Sequence, residues 1–169
     1  RAILHIGTAR NLAVEGAGHR PISFRSAANF GWAGPVDGEE AFERMNREEK
    51  GGVGPLDFIR RTAVDGVSAS KYIRRAVNDY RTPIALPSAP GGPTKAAEDL
   101  RSVAALINSN FPARVYYVSQ TGFDTHFGQK NTHPGLMKQW SEAVKAFHDD
   151  LVRLKQDHRV LMLTFSEFG

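Results

Sequence analysis

Two apolar stretches in the last third of the chain decide the fold: ARVYYVSQ, residues 113–120, and RVLMLTF, residues 159–165. Both are rich in β-branched and aromatic residues over a strand-like length, which predicts buried strands. Between them, Thr132 and Pro134 predict the start of a helix, as a cap followed by a first-turn proline. The apolar stripe of this helix runs for about six turns and comprises Leu136, Trp140, Val144, Phe147, Leu151 and Leu154.

The order strand, helix, strand predicts a C-terminal βαβ unit with parallel strands and a right-handed crossover. Strands that are apolar throughout indicate a sheet covered on both faces. The predicted fold class is therefore α/β with a mainly parallel sheet. The segments GFDTH and SEFG then follow the carboxyl ends of parallel strands, where open α/β sheets bind ligands.

The rest of the chain divides into regions of different composition. Residues 1–33 contain AILHI, NLAVEG and RPISF between glycines and prolines, which predicts short edge or surface strands. Residues 34–54 are rich in glycine and acid, which predicts a mobile insertion with a short exposed helix. Residues 55–169 form the predicted α/β core part, with a helix from Pro55 to Tyr80 and another after Thr94. Their apolar faces comprise Leu56, Ile59, Ala63, Val67, Ile73, Ala76, Val77 and Tyr80, and Ala97, Leu100, Val103, Ala104 and Ile107.

Composition excludes several classes of protein. The 169 residues include no cysteine, so disulfide scaffolds, thiolate zinc sites and cysteine nucleophiles are ruled out. No apolar run approaches the ~20 residues of a membrane helix, so no membrane span is expected. The net charge is +4, but acidic residues are interleaved with the arginine pairs of the first long helix, so we expect a solvated face and no nucleic-acid partner. The chain ends at Gly169 directly after a strand pattern, which predicts an internal fragment of one domain.

The strongest candidate for chemistry is the D-x-H pair of GFDTH. Asp124 and His126 are two residues apart, so in an extended segment their side chains point to one side, with Cα atoms ~6.5–7 Å apart. A carboxylate and an imidazole that converge are suitable ligands for a divalent metal. In the alternative reading, Asp124 caps the turn and His126 packs at its rim.

A metal site needs more than two ligands, and four further residues could line it. Gln129, His133 and Glu167 carry suitable donor atoms, and Glu167 is the most attractive because it follows the neighbouring predicted strand. Ser166 lies beside Glu167 on the same predicted edge. Alternatively, His133 is a surface or capping group, and Ser166 and Glu167 satisfy loop amides.

Other catalytic and nucleotide-binding motifs are missing from the sequence. Thr164 and Phe168 occupy the positions around Ser166 where a nucleophile elbow has glycines. No G-x-G-x-x-G or Walker loop is present. The remaining histidines are scattered and suggest no site; His148 is expected to be packed or at a boundary. They are His5, His19, His148 and His158.

GFDTHFGQ, HPGLMKQWSEAVKAFHDDL and RVLMLTFSEFG together resemble a bacterial family, the domain-of-unknown-function 1501 proteins. FIRRTAVDGVSASKYIRRA and RVYYVSQTGFDTH resemble it as well. Members look like relatives of the alkaline phosphatase and sulfatase superfamily. The resemblance implies an α/β/α sandwich, a metal site that includes Asp124 and His126, and export from the cytoplasm. Superfamily phosphatases usually separate this Asp and His by four positions, and position 128 here is Gly128.

The resemblance supports two hypotheses. In the first, the protein is an exported metal-dependent hydrolase of phosphate or sulfate esters, with a small anionic ester as substrate; Zn, Mn, Fe and Ca are not distinguished by the ligand types. The sequence contains no residue that can be named as nucleophile, so residues 1–169 alone are expected to be inactive. In the second, the fold has lost catalysis and serves as a binding or assembly module at the cell envelope. The sequence does not predict an oligomeric state.

Overall fold

A computed structural model describes residues 2–7, 11–15, 21–35, 37–47, 54–89 and 92–166. The chain divides into two compact units, which are described separately. The first comprises Arg1–Tyr80 and Pro112–Tyr117, and the second comprises Arg81–Phe111 and Val118–Gly169. No helix in the described ranges is long and apolar enough to cross a membrane. The α/β class is confirmed, with four helices and a three-stranded parallel sheet.

The sheet of the first unit has β1 (Ala2–Ile6) at its centre, between β2 (Ile22–Phe24) and β5 (Ala113–Val118). Strand β1 pairs with β2 in parallel, with Leu4 opposite Ile22 and Ile6 opposite Phe24. Leu4 and Ile6 are at most 1% exposed. The prediction that AILHI is an edge or surface strand is therefore wrong. A short apolar run without alternation is typical of a parallel strand buried on both faces.

The segment NLAVEG forms a 3-10 helix, Leu12–Val14, and not the predicted strand. The Asn11 side chain accepts a hydrogen bond of 2.9 Å from the Ala13 amide. Asparagine is a strong N-cap residue, and this local bond competes with strand formation. A second 3-10 helix, Ala27–Asn29, follows β2. Gly16 and His19 lie outside the described residues.

Two helices complete the first unit. Helix α1 (Gly38–Asn46) is the short helix predicted in the insertion; residues 36 and 48–53 of that insertion lie outside the described ranges. Helix α2 (Pro55–Asp79) confirms the predicted span. Lys71 on α2 lies 2.7 Å from a Glu43 carboxylate oxygen on α1 and 3.5 Å from one of Glu39. The ion pairs therefore join the two helices.

The predicted apolar face of α2 is buried only in its C-terminal part. Ile73 is 0% exposed and Tyr80 is 5% exposed. Leu56 and Ile59, predicted to belong to the same face, are 57% and 62% exposed. Helical periodicity shows which residues share a face but not how far along the helix a neighbour covers it.

The second unit is built on α3 (Lys95–Asn108) packed against α4 (Gln129–Arg153). Thr94 caps α3 as predicted, since its hydroxyl accepts a hydrogen bond from the Ala97 amide. All five residues of the predicted apolar face of α3 are buried. Phe147 and Leu151 are the buried residues of the predicted stripe on α4. A two-stranded ribbon of β3 (Ser88–Ala89) and β4 (Gly92–Pro93) precedes α3.

The second predicted strand of the βαβ unit is absent from the described residues. A 3-10 helix spans Asp157–Arg159, and residues 160–166 form neither helix nor strand. Leu161 is 94% exposed, Leu163 80% and Phe165 62%. A strand requires a neighbouring strand for its backbone N–H and C=O groups, and in the described ranges this segment belongs to no sheet. The prediction of a strand over residues 159–165 is therefore wrong for this structure.

A buried carboxyl group in α3 makes the stability of the second unit depend on pH. Asp99 is 4% exposed; Lys95 pairs with one of its oxygens, and the other is buried without a hydrogen-bond partner in the described chain. Burial raises the pKa of Asp99 to about 6, and Lys95 offsets part of this effect. The protonated carboxyl is therefore favoured in the folded state, and its stabilisation is lost as pH rises from about 4 through about 6.

We expect Asp99→Asn to raise the free energy of unfolding at pH 7.5 by about 1–3 kcal/mol, because it removes a buried charge, and to have little effect at pH 4. Urea unfolding at the two pH values measures this. Asp149→Asn is the matched control, since Asp149 pairs with Lys145 at the same helical spacing but its side chain is 40% exposed. Equal pH slopes for wild type and Asp99→Asn would contradict the prediction.

A close approach at the end of β1 requires glycine. A Cβ on residue 7 would lie 2.5 Å from His5 Nε2, whereas a Cβ on Gly66 in α2 would meet nothing within 4 Å. Gly7→Ala should cost about 1–3 kcal/mol by overpacking. Gly66→Ala should stabilise the protein by about 0.5–1 kcal/mol through helix propensity. Urea unfolding of both variants measures the contrast, and a neutral Gly7→Ala would show that the His5 ring is free to move.

Candidate functional site

The candidate site lies in the loop between β5 and α4. Gly122, with φ of 99°, and Gly128, with φ of 71°, flank the D-x-H pair. Both values lie in the region that favours glycine, because a Cβ there meets the backbone. Gly128 is also the N-cap of α4. The two glycines therefore set the turns at which the loop leaves the region of β5 and enters the helix.

Asp124 and His126 are brought together, as their spacing predicts. His126 Nε2 lies 3.0 Å from a carboxylate oxygen of Asp124, within hydrogen-bond distance. The two side chains remain 65% and 78% exposed, respectively. A hydrogen bond between exposed groups contributes little to stability, since water competes for both partners. Its consequence is geometric: one nitrogen and one oxygen donor face each other at the protein surface.

Helix α4 begins earlier than predicted, at Gln129, so the predicted cap at Thr132 is wrong. The amides of Asn131 and Thr132 donate to the Gly128 carbonyl, which closes the first turn upstream of Thr132. Pro134 consequently lies inside the helix and not in its first turn. Proline lacks a backbone N–H donor, and α4 tolerates this loss because position 134 is near the N-terminal end of the helix.

The other residues predicted to line the site lie in different parts of the structure. Gln129 is the first residue of α4, next to the loop. The His133 ring meets the Phe123 ring edge to face, with centroids 5.8 Å apart. Ser166 is exposed in the segment that forms no strand, and Glu167 lies outside the described residues. Ser166 and Glu167 were expected to follow a strand over residues 159–165. Because that strand is absent from the described residues, this expectation is not supported.

The D-x-H pair has the donor types for a divalent metal but supplies only two of them. Two donors on a tetrahedral metal with bonds of about 2.1 Å are about 3.4 Å apart, so the pair would separate by only about 0.4 Å. Among the described residues, no group of three or more His, Asp or Glu side chains is arranged to hold a metal ion. Further ligands would have to come from water, an amide oxygen such as that of Gln129, or residues outside the described ranges.

The structure reveals a polar cluster around one buried histidine that the sequence analysis does not predict. His5, which was grouped with the scattered histidines, is 1% exposed in the middle of β1. Its ring meets that of Tyr117 edge to face at 5.4 Å, and Asn11 Nδ2 donates a 2.9 Å hydrogen bond to the Tyr117 hydroxyl. A histidine inside an otherwise apolar strand pattern was the available signal. His148, by contrast, is exposed and not packed.

Comparison with known proteins identifies no relative of this chain: neither a family model, nor a curated protein, nor a solved structure matches it.

Proposed function

We propose that the protein is an exported hydrolase of phosphate or sulfate esters that depends on a divalent metal bound in part by Asp124 and His126. The observation that carries the proposal is the 3.0 Å approach of His126 Nε2 to the Asp124 carboxylate in an exposed loop. The family resemblance of GFDTH and the segments around it supplies the reaction class and the exported location.

The geometry of the pair is compatible with metal exchange and with access of a substrate. Both side chains are more than half exposed, so a small anionic ester could approach them from solvent. Binding would require the hydrogen bond to open, because the His126 nitrogen and the Asp124 oxygen would both turn to the same ion. A bound divalent metal would supply Lewis-acid polarisation of an ester oxygen. The hydrogen bond to Asp124 would hold the His126 ring in orientation until then.

The alternative is a binding or assembly module at the cell envelope that retains the fold. The small number of candidate metal ligands favours this alternative. The described residues bring together only two donor groups, and these two groups are hydrogen-bonded to each other. In that case the Asp124–His126 hydrogen bond would serve only to order the loop.

Metal content and activity of the purified protein separate these functions. We expect the full-length protein that contains residues 1–169 to bind Zn or Mn in calorimetric titration and to hydrolyse at least one member of a panel of phosphate and sulfate esters, whereas residues 1–169 alone should show no turnover. Asp124→Asn and His126→Ala should each weaken metal binding by at least about tenfold, since each removes a ligand. The control is Asp157→Asn with His158→Ala, which alters an exposed Asp and His on the 3-10 helix Asp157–Arg159.

Each outcome of this experiment decides between the proposals. Metal binding that depends on Asp124 and His126, together with ester hydrolysis, supports the enzyme. Metal binding without hydrolysis of any ester favours the non-catalytic module. A protein that binds none of the metals, or binds them equally well in the two variants, refutes the metal site.

A further inference from the structure

We propose that His5 is an acid-sensitive lock in the first unit: the three-stranded sheet is held together only while its imidazole is neutral, and acidification releases β1. This inference is independent of the proposed hydrolase function, since it concerns a residue that was not assigned to the D-x-H site.

Because of the position of His5, its protonation affects the stability of the three-stranded sheet. It lies in the central strand, with Leu4 and Ile6 on either side, and is 1% exposed. The ring is confined at the end of β1, because Gly7 comes so close that a Cβ there would lie 2.5 Å from Nε2. Its Nδ1 atom is buried and has no hydrogen-bond partner in the described chain. The Nδ1 atom therefore has neither water nor a described protein group as a partner while β1 stays in place.

Among the described residues, the groups packed against His5 include no carboxylate that would pair with a positive charge. On β5, Tyr117 meets the ring edge to face at 5.4 Å and brings an aromatic ring and a hydroxyl to the site. The 3-10 helix Leu12–Val14 contributes the Asn11 amide, which bonds to the Tyr117 hydroxyl. On β2, Ser23 is opposite His5 in the register. Burial lowers the pKa of His5, with no charged group contributing to the shift.

The direction of the pH effect follows from proton linkage. In the unfolded chain the His5 pKa is near its ordinary value of 6.5, whereas in the folded state it is lower. The stability that depends on neutral His5 is therefore fully present above pH 6.5 and is lost as pH falls through the folded pKa. In that window the unfolding equilibrium constant rises by up to about tenfold per pH unit. Because β1 pairs with both neighbours, its release also removes the partner of β2.

The test compares the single variant Asp99→Asn with the double variant that also carries His5→Leu. Leucine has a similar volume to histidine and does not titrate, and Asp99→Asn removes the opposite titration of the second unit. Between pH 6.5 and 5.0, we expect the unfolding equilibrium constant of the single variant to rise at least about fivefold more than that of the double variant. His158→Leu is the control, since His158 is exposed, and should keep the acid sensitivity. Equal pH dependence with and without His5 would overturn the proposal.

A second measurement keeps the proposal testable if His5→Leu does not fold. The imidazole resonances of His5 in the wild-type protein are followed by NMR from pH 7.5 to 4.5, together with hydrogen exchange of the β1 amides. We expect the folded ring to titrate at a lower pH than an ordinary histidine, and the β1 amides to lose protection once it is protonated. A ring that titrates at 6.5 while the β1 amides stay protected would refute the lock.

Discussion

The burial of β1 between two neighbouring strands is the constraint on which the first unit depends. The backbone N–H and C=O groups of a central strand must be hydrogen-bonded on both sides, and its side chains are packed without water. The choice of residue types in the C-terminal half of β1 is therefore restricted. Leu4 and Ile6 meet this condition as apolar residues. His5 meets it only as a neutral ring, and Gly7 meets it only because it lacks a side chain. The small size of the sheet makes this strand more important, since β2 has three residues and pairs with β1.

The candidate site depends on a weaker type of order. Asp124 and His126 are held by one exposed hydrogen bond and by two glycines with positive φ, and not by a packed core. Such a loop adjusts at low cost, which suits a metal site that is completed by additional ligands. The contrast with His5 is instructive. The His126 side chain is exposed to solvent, whereas His5 is buried, and in our proposal its protonation affects the stability of the three-stranded sheet.

Local signals in the sequence predicted the helices well. Thr94 and the face Ala97, Leu100 and Val103 define α3 because capping and helical periodicity act within a few residues of each other. The predicted start of α4 is wrong because the prediction places Pro134 in the first turn. In the structure the helix begins after its N-cap Gly128, and Pro134 lies inside it. Strand positions depend on partners elsewhere in the chain. The pattern of AILHI therefore does not distinguish the centre of a sheet from its edge, and the pattern of RVLMLTF, residues 159–165, predicts a strand although this segment belongs to no sheet in the described ranges.

The approach of Asp124 to His126 was predictable because alternation over two residues is a local property. The environment of His5 was not, because Tyr117 lies 112 positions further along the sequence and only the sheet brings the two rings together.

Native-state hydrogen exchange tests the central position of β1 most directly. With β1 as the central strand, the amides of residues 4–6 should be among the slowest to exchange in the first unit, and those of residues 161–164 should exchange as rapidly as unprotected amides. Rapid exchange in β1, or strong protection across residues 161–164, would contradict the account, because it would place the core of the sheet at residues 159–165 and not at β1.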